Sequence, residues 1–338
     1  MPPDPNAPFG TLFAETMATA TWKDGIWDQP QYVPTEPFSL HPATHVFHYA
    51  STCFEGLKSH RGEDGVVRIF RAPAHVDRMQ VSAELLLLPP PPKEMLSEMI
   101  TETVRANLDQ VPDTPGSLYI RPTLIGTEVN IGAAAVPSKE ALLYVINSPV
   151  GDYFSGGIRP LRLALEMERP RTTPQFGRVK SGANYVMALG VTMEAKKELG
   201  VDQVLFAPDG HVQETGAANF MLIDPGRIVT PALSEAFLHG VTRDSILQIA
   251  RDRGMQVEER DDLTVEDVLD FAARPEAEAA LAGTAAVLAS VGTLVHRGED
   301  LPVGSGEVGP TTLDLRSALT ELHAGRSEDV HGWLQPVE

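Results

Sequence analysis

Cysteine is almost missing from this chain: Cys53 is the only one in 338 residues. A disulfide framework and a cysteine-rich zinc site are excluded at once. Basic charge is also scarce, with 27 Lys and Arg against 46 Asp and Glu and a formal net charge of −19. The broad basic footprint of a nucleic-acid binder is absent, and so is a global attraction to anionic membranes. No run approaches the roughly 18 apolar residues that a membrane helix needs. The stretch Met1-Pro2-Pro3-Asp4-Pro5-Asn6-Ala7-Pro8 has neither a basic region nor an apolar one. A secretory signal is therefore not expected, and the cytoplasm is the expected location.

What is present is an ordinary globular composition, 42% apolar and 22% charged. At roughly 150 residues per domain the length suggests about two domains. Residues 1–18 are Pro-rich and read as a flexible arm. From 19 to 147 the pattern is that of a small α/β domain. Extended runs over Ala43–Tyr49 and Val66–Phe70 flank an Asp64-Gly65 hairpin turn. Helical patterns cover Ala74–Leu88, stopped by Pro89 to Pro92, and Lys93–Asn107; strands are expected over Leu118–Ile125 and Ala141–Ile146. An interdomain segment is expected over 148–173.

The remainder, 174–338, reads as a larger domain. It contains a helix over Ala183–Leu199 closed by Gly200, and strands over Gln203–Ala207, His211–Thr215, Asn219–Ile223 and Arg227–Thr230. A helix over Thr242–Arg253, a strand over Gln256–Arg260 and a capping-box start at Thr264 follow.

Two motifs are decoys. Gly304-Ser305-Gly306-Glu307-Val308-Gly309 fits a dinucleotide fingerprint, but it sits near the C-terminus, follows Pro302 and carries an acid where a pyrophosphate would approach. It reads as a Gly-rich turn. His41, His45 and His48 would share one helix face and could bind a metal. Their β-prone neighbours favour extended chain, which scatters them, and no metal site is expected.

Lysine is scarce, and six of the seven, Lys23, Lys58, Lys93, Lys139, Lys196 and Lys197, read as surface residues, mostly in polar surroundings. Lys180 differs. In Val179-Lys180-Ser181-Gly182-Ala183-Asn184-Tyr185 small residues would let a large group reach the amine. A lysine so placed can lose its charge by desolvation and act as nucleophile or base. On this segment alone, a surface lysine before a helix is the plainer reading. Glu214 is followed by Thr215-Gly216-Ala217-Ala218-Asn219, which leaves room beside its carboxylate. A solvated hairpin Glu is the plainer reading there. Gly240-Val241-Thr242 offers backbone N–H groups at a helix start, a ready anion site or a plain cap. Gly283-Thr284-Ala285-Ala286 is similarly ambiguous.

In order, these segments resemble those of fold-type IV pyridoxal phosphate enzymes. The first half narrows the resemblance to branched-chain amino acid aminotransferases. It is carried by His48-Tyr49-Ala50, Cys53-Phe54-Glu55-Gly56-Leu57-Lys58, Asp77-Arg78-Met79, Tyr119-Ile120-Arg121-Pro122 and Ser148-Pro149-Val150-Gly151-Asp152-Tyr153-Phe154. It spans about residues 20–335.

The resemblance implies a two-domain α+β and α/β fold of the fold-type IV class, with a small α/β domain and a larger β-barrel-like α/β domain. It implies pyridoxal 5'-phosphate as cofactor and branched-chain L-amino acids with 2-oxoglutarate as substrates, in a homodimeric enzyme of amino-acid biosynthesis. The lysine matching Lys180 holds the cofactor and moves the substrate proton. Glu214 matches the partner of the pyridine nitrogen and Tyr185 that of the phenolic oxygen. Arg78, Val241, Thr242 and Thr284 match the phosphate cup. Tyr49, Phe54 and Tyr153 match an apolar pocket, the turn at Thr284-Ala285-Ala286 an α-carboxylate binder, and Arg121 with Tyr119 the group meeting the γ-carboxylate of glutamate.

The sequence departs from the family at Ala217-Ala218, at His239 where proline is usual, and at Ala286 and Ala289 where some relatives carry a redox cysteine pair. The alternative in the same fold is a D-amino acid transaminase or an aminodeoxychorismate lyase. Outside enzymes, the alternative is a binding protein for small acids with a vestigial site.

Overall fold

The computed structural model describes residues 8–151 and 157–337. Tyr153 lies outside the described residues. The chain divides into two compact units. The first comprises Met1–Ser155, Val179–Gly182 and Glu321–Glu338, and the second Gly156–Arg178 and Ala183–Thr320.

Unit 1 is built on one antiparallel sheet. Its strands are β1 (Thr16–Lys23), β2 (Ile26–Trp27), β3 (Gln31–Pro34), β4 (Thr52–Phe54), β5 (Leu57–Arg61), β6 (Val67–Phe70), β7 (Ser117–Gly126), β8 (Glu140–Val150) and a last strand, Leu334–Val337. The order is Leu334–Val337, β6, β5, β7, β8, β1, β2, with β3 also on β1 and β4 on β7. The β5–β6 hairpin turns at Gly65, whose φ of 79° suits the Asp-Gly turn read from the sequence.

Helices α1 (His45–Tyr49), α2 (Ala72–Leu85) and α3 (Lys93–Ala106) complete the unit. α2 and α3 cover the sheet because Val76, Met79 and Ala83 of one and Leu96, Met99, Ile100 and Val104 of the other form one apolar cluster with Leu118, Ile120 and Leu124. Each buried Val, Leu, Ile or Met side chain of this cluster contributes about 1.5–3 kcal/mol.

Three expectations need correction here. The run Ala43–Tyr49 is not extended: His45–Tyr49 is a helical turn, closed by Ala50 in the left-handed region with its N–H on the Val46 carbonyl. Local β-propensity yields to tertiary contacts, since His45 is buried against the Ser51 hydroxyl. The arm does not extend to residue 18, because β1 starts at Thr16 and Met17 and Ala18 are buried. The segment 148–173 is not a plain connector: Ser148 to Val150 finish β8, and Leu161–Glu166 is a strand of unit 2.

Unit 2 holds a mixed sheet. Its elements in chain order are β9 (Leu161–Glu166), α4 (Gly182–Leu199), β10 (Gln203–Phe206), β11 (Asn219–Asp224), β12 (Arg227–Pro231), α5 (Val241–Asp252), β13 (Gln256–Arg260), α6 (Val265–Ala272), β14 (Glu278–Gly283), β15 (Val287–His296), β16 (Glu299–Pro302) and α7 (Pro310–His323). The order is β10-β9-β15-β14-β11-β12-β13, with β16 on β15. The expected strand His211–Thr215 makes only isolated bridges, to Thr264, Leu205 and Asn219, because it meets a different neighbour at each step.

The Gly304 motif is a left-handed turn after β16, with φ values of 52° at Gly304 and 78° at Gly306. A Cβ on Gly304 would overlap the Ala277 carbonyl, so packing alone requires that glycine.

α6 carries the capping box expected at Thr264: its hydroxyl accepts from Asp267 N–H, and the Asp267 carboxylate accepts from Thr264 N–H. Thr264→Ala should destabilise the protein by about 1 kcal/mol. Denaturant unfolding followed by far-UV circular dichroism measures this; no measurable loss would mean that water replaces the box.

Candidate active site

Lys180 lies on a stretch of unit 1, Val179–Gly182, that is flanked on both sides by chain of unit 2. Its backbone is held within unit 1. Lys180 N–H donates to the Ser82 hydroxyl at 3.1 Å, and its carbonyl accepts from Phe54 N–H at 3.0 Å. Its amine stands 5.0 Å from the centre of the Phe54 ring. In unit 2 the flanks are stapled together by Asn184. The Asn184 amide donates to the Phe176 carbonyl at 2.8 Å, and its oxygen accepts from the Thr172 hydroxyl at 2.7 Å. Lys180 is thus carried on a short loop with fixed feet. Tyr185 follows in the first turn of α4, half-buried.

Beside Lys180 in unit 1, α2 presents Arg78. Glu55 grips this guanidinium with both oxygens, at 2.7 Å from Nε and 2.7 Å from Nη2. His75, one helical turn earlier, places Nδ1 2.7 Å from the same carboxylate. Glu55 is 1% exposed and His75 2%. Burial pushes the Glu55 carboxyl up, but the adjacent Arg78 charge and its hydrogen bonds win and hold it well below the usual carboxylate range. Burial lowers His75 in turn.

Of the expected substrate residues of unit 1, Phe54, Tyr119 and Arg121 come together. Arg121 donates to the Tyr119 hydroxyl at 2.8 Å and lies 4.5 Å over the Phe54 ring. A Cβ on Gly56 would overlap the Tyr119 hydroxyl, so glycine is needed for Tyr119 to lie there. Tyr49 points its hydroxyl at the Ile131 carbonyl.

Unit 2 holds the second set. Glu214, 2% exposed, precedes β11. Its Oε1 accepts from Leu238 N–H at 2.9 Å and pairs with Arg171 Nη2 at 2.8 Å. Its Oε2 accepts from the Asn219 amide at 3.0 Å. Asn219 also reaches the Leu238 carbonyl, and a Cβ on Gly240 would overlap its amide oxygen. The Thr215 hydroxyl accepts from Ala218 N–H and closes the small-residue turn beside Glu214.

Gly240 caps α5 without a side-chain hydrogen bond, and Val241 and Thr242 form its first turn. That end is fixed because Arg243 reaches both Glu259 and the Pro231 carbonyl at 2.8 Å. Thr284, Ala285 and Ala286 make the half-buried turn between β14 and β15. Arg316 of α7 holds this turn through the Ala286 and Leu288 carbonyls.

Sequence reasoning missed Glu55, His75, Arg171 and Arg316 as site residues. His75 was findable, since it lies three residues before Arg78 on one helix face. Arg171 and Arg316 carry no local signal. His41, His45 and His48 do not gather: His45 meets Ser51, and His48 meets the Pro42 carbonyl.

The chain matches the family model for amino-transferase class IV over residues 52–291. It is 38% identical to a probable branched-chain-amino-acid aminotransferase of Streptomyces coelicolor, covering 98% of this chain and 93% of that one. It is 36% identical to branched-chain-amino-acid transaminase 1 of Bacillus subtilis, covering 99% and 96%. Among solved structures, it resembles the T.th. branched-chain amino acid aminotransferase with pyridoxamine 5'-phosphate at 29% identity and a TM-score of 0.79, over 97% of this chain and 100% of that one. The same enzyme complexed with N-(5'-phosphopyridoxyl)-L-glutamate gives a TM-score of 0.78.

The donor set fits a pyridoxal phosphate. A buried carboxylate tied by three donors in one unit suits a cationic ring nitrogen. An α-helix start with bare backbone N–H groups suits a phosphate. At Gly216 and Gly283 an added Cβ would meet its neighbours at ordinary contact distance, 3.6 to 3.8 Å.

Glu55 gives a pH prediction. Its carboxyl is depressed in the folded protein, so its stabilising contribution is complete above its ordinary value of 4.5 and is lost as pH falls below that. Glu55→Gln should lower stability at pH 7 by about 3 kcal/mol, because Arg78 is left uncompensated, and should flatten the acid limb of the stability curve. Melting curves from mildly acidic to neutral pH and below test this; parallel limbs for the two proteins would refute it.

Proposed function

The chain belongs to the class IV aminotransferases, and from that premise we propose that it transfers the amino group of leucine, isoleucine or valine to 2-oxoglutarate. What carries this reading is found within each unit by itself: in unit 1, Lys180 on the Val179–Gly182 stretch and Arg78 held by Glu55; in unit 2, the buried Glu214 held by Arg171, Asn219 and Leu238 N–H. Pyridoxal 5'-phosphate, when bound, supplies an electron sink for charge that develops at the substrate Cα. Lys180 holds it and moves the proton at that carbon. Glu214 keeps the ring nitrogen protonated, and Tyr185 donates to the phenolic oxygen. Arg78, the Val241 and Thr242 N–H groups and the Thr242 and Thr284 hydroxyls bind the phosphate.

The substrate side must accept two unlike side chains. Phe54 and Tyr49 supply an apolar wall for a branched chain; the third residue expected there, Tyr153, lies outside the described residues. The Thr284-Ala285-Ala286 turn receives the α-carboxylate. Arg121, already sharing a hydrogen bond with Tyr119, meets the second carboxylate of glutamate. Its stacking on Phe54 keeps the cation against an apolar surface, so one pocket serves both substrates.

The protein acts as a homodimer in the cytoplasm. α4 exposes Val186 (69%), Leu189 (55%) and Met193 (55%) at helical spacing, which suits an apolar interface. Sedimentation equilibrium should give twice the chain mass; a monomer at micromolar concentration would refute the dimer.

The first test of function is optical. Purified protein loaded with pyridoxal 5'-phosphate should show a visible band that shifts on L-leucine and returns on 2-oxoglutarate. Lys180→Ala should abolish multiple turnover, a loss of at least about 10⁴-fold. A band that ignores L-leucine and answers D-alanine would overturn the substrate assignment.

A further inference from the structure

Glu214 keeps company that its proposed task does not require. Two neutral donors, Leu238 N–H and the Asn219 amide, suffice to fix a carboxylate in place. Arg171 adds a full positive charge and is itself only 3% exposed. Burying a guanidinium is costly unless it is paired and hydrogen-bonded. Here the pairing is narrow. Arg171 Nη2 touches Glu214 Oε1 at 2.8 Å and the Gly177 carbonyl at 2.9 Å, while Arg171 Nε is a buried donor with no hydrogen-bond partner. The side chain thus leaves one donor unsatisfied while bringing a cation onto this carboxylate. The same nitrogen also connects Glu214 to Gly177, three residues before Lys180 in the chain.

We propose that Arg171 is a positioning residue for the cofactor ring: it commits Glu214 to the ionised form that pairs with the ring nitrogen. A buried carboxylate held only by neutral donors takes up a proton more readily, because desolvation favours its neutral form. A cation at contact distance reverses this preference and keeps the charge on Glu214 before any ligand arrives. The proton of the ionic pair then stays on the ring nitrogen. The inference rests on the proposed role of Glu214 and concerns a residue that role does not include.

The test is a double-mutant cycle read in cofactor affinity rather than turnover. Pyridoxal 5'-phosphate is titrated into the apo forms of wild type, Arg171→Met, Glu214→Gln and the double variant, and binding is followed by tryptophan fluorescence. Arg171→Met should weaken binding about tenfold when Glu214 is present and less than about twofold in the Glu214→Gln background, since the effect passes through that carboxylate. An equal loss in both backgrounds would show that Arg171 merely braces the Gly177 turn, and would overturn the inference. Unchanged or tighter binding by Arg171→Met would overturn it as well. Wild-type affinity in Glu214→Gln would refute the role of Glu214 itself, a separate outcome that removes the premise. If Arg171→Met does not fold, Arg171→Lys and Arg171→Gln decide. The charge-keeping lysine should bind within about threefold of wild type and the neutral glutamine about tenfold more weakly. Equal affinities for the two would overturn the inference.

Discussion

Burying a carboxylate without losing its charge is the constraint on which both units are organised. A lone anion in a protein interior would cost several kcal/mol and would neutralise itself. Each unit meets this problem with an arginine and further donors. In unit 1, Glu55 sits between Arg78 and His75. In unit 2, Glu214 sits between Arg171, Asn219 and Leu238 N–H. The roles are mirrored. In the first pair the arginine is proposed to face the ligand and the carboxylate orients it, whereas in the second the carboxylate faces the ligand and the arginine orients it. Ionic groups held this way are pre-organised, so little reorientation is needed when a charged ligand binds.

Close approach is the second constraint, and glycine satisfies it. Side-chain hydroxyl, amide oxygen and main chain occupy the space a Cβ would fill at Gly56, Gly240 and Gly177 respectively. None of these glycines is there for a left-handed turn. Each lets a polar group come close enough to make a hydrogen bond that a larger residue would prevent: Tyr119 with Arg121 near Gly56, and Asn219 with Glu214 near Gly240. At Gly177 the main chain packs on that of Ala236, where Arg178 N–H reaches the Glu235 carbonyl.

The extent to which this was legible in the sequence follows from whether the cause was local. The α6 capping box, the Asp64-Gly65 turn and the helix stop before the four prolines depend on neighbours a few residues away, and they were readable. His45–Tyr49 was misread because its helical turn is set by Ser51 and by the loop around Val129, not by its own β-prone side chains. The strands Val287–His296 and Leu161–Glu166 went unread; they run parallel in one sheet although far apart in sequence, and no local pattern encodes such pairing. At the site, Lys180 stood out because lysine is scarce and its neighbours are small. Arg171 did not, since its partner Glu214 is more than forty residues away and nothing near it in sequence marks the pairing.

The departures from the family bear on regulation as well as on fit. Where some relatives carry a redox pair, this chain has Ala286 at the β14–β15 turn and Ala289 in β15, each without a sulfur. Its one thiol, Cys53, is on β4 and fully buried, and burial pushes that thiol far above its ordinary value. Thiol oxidation proceeds through the exposed thiolate, and Cys53 has neither the exposure nor the charge. The turn that is proposed to receive the α-carboxylate is held by hydrogen bonds, among them those from Arg316 to the Ala286 and Leu288 carbonyls. With no sulfur in it, this turn cannot be closed by a disulfide of its own.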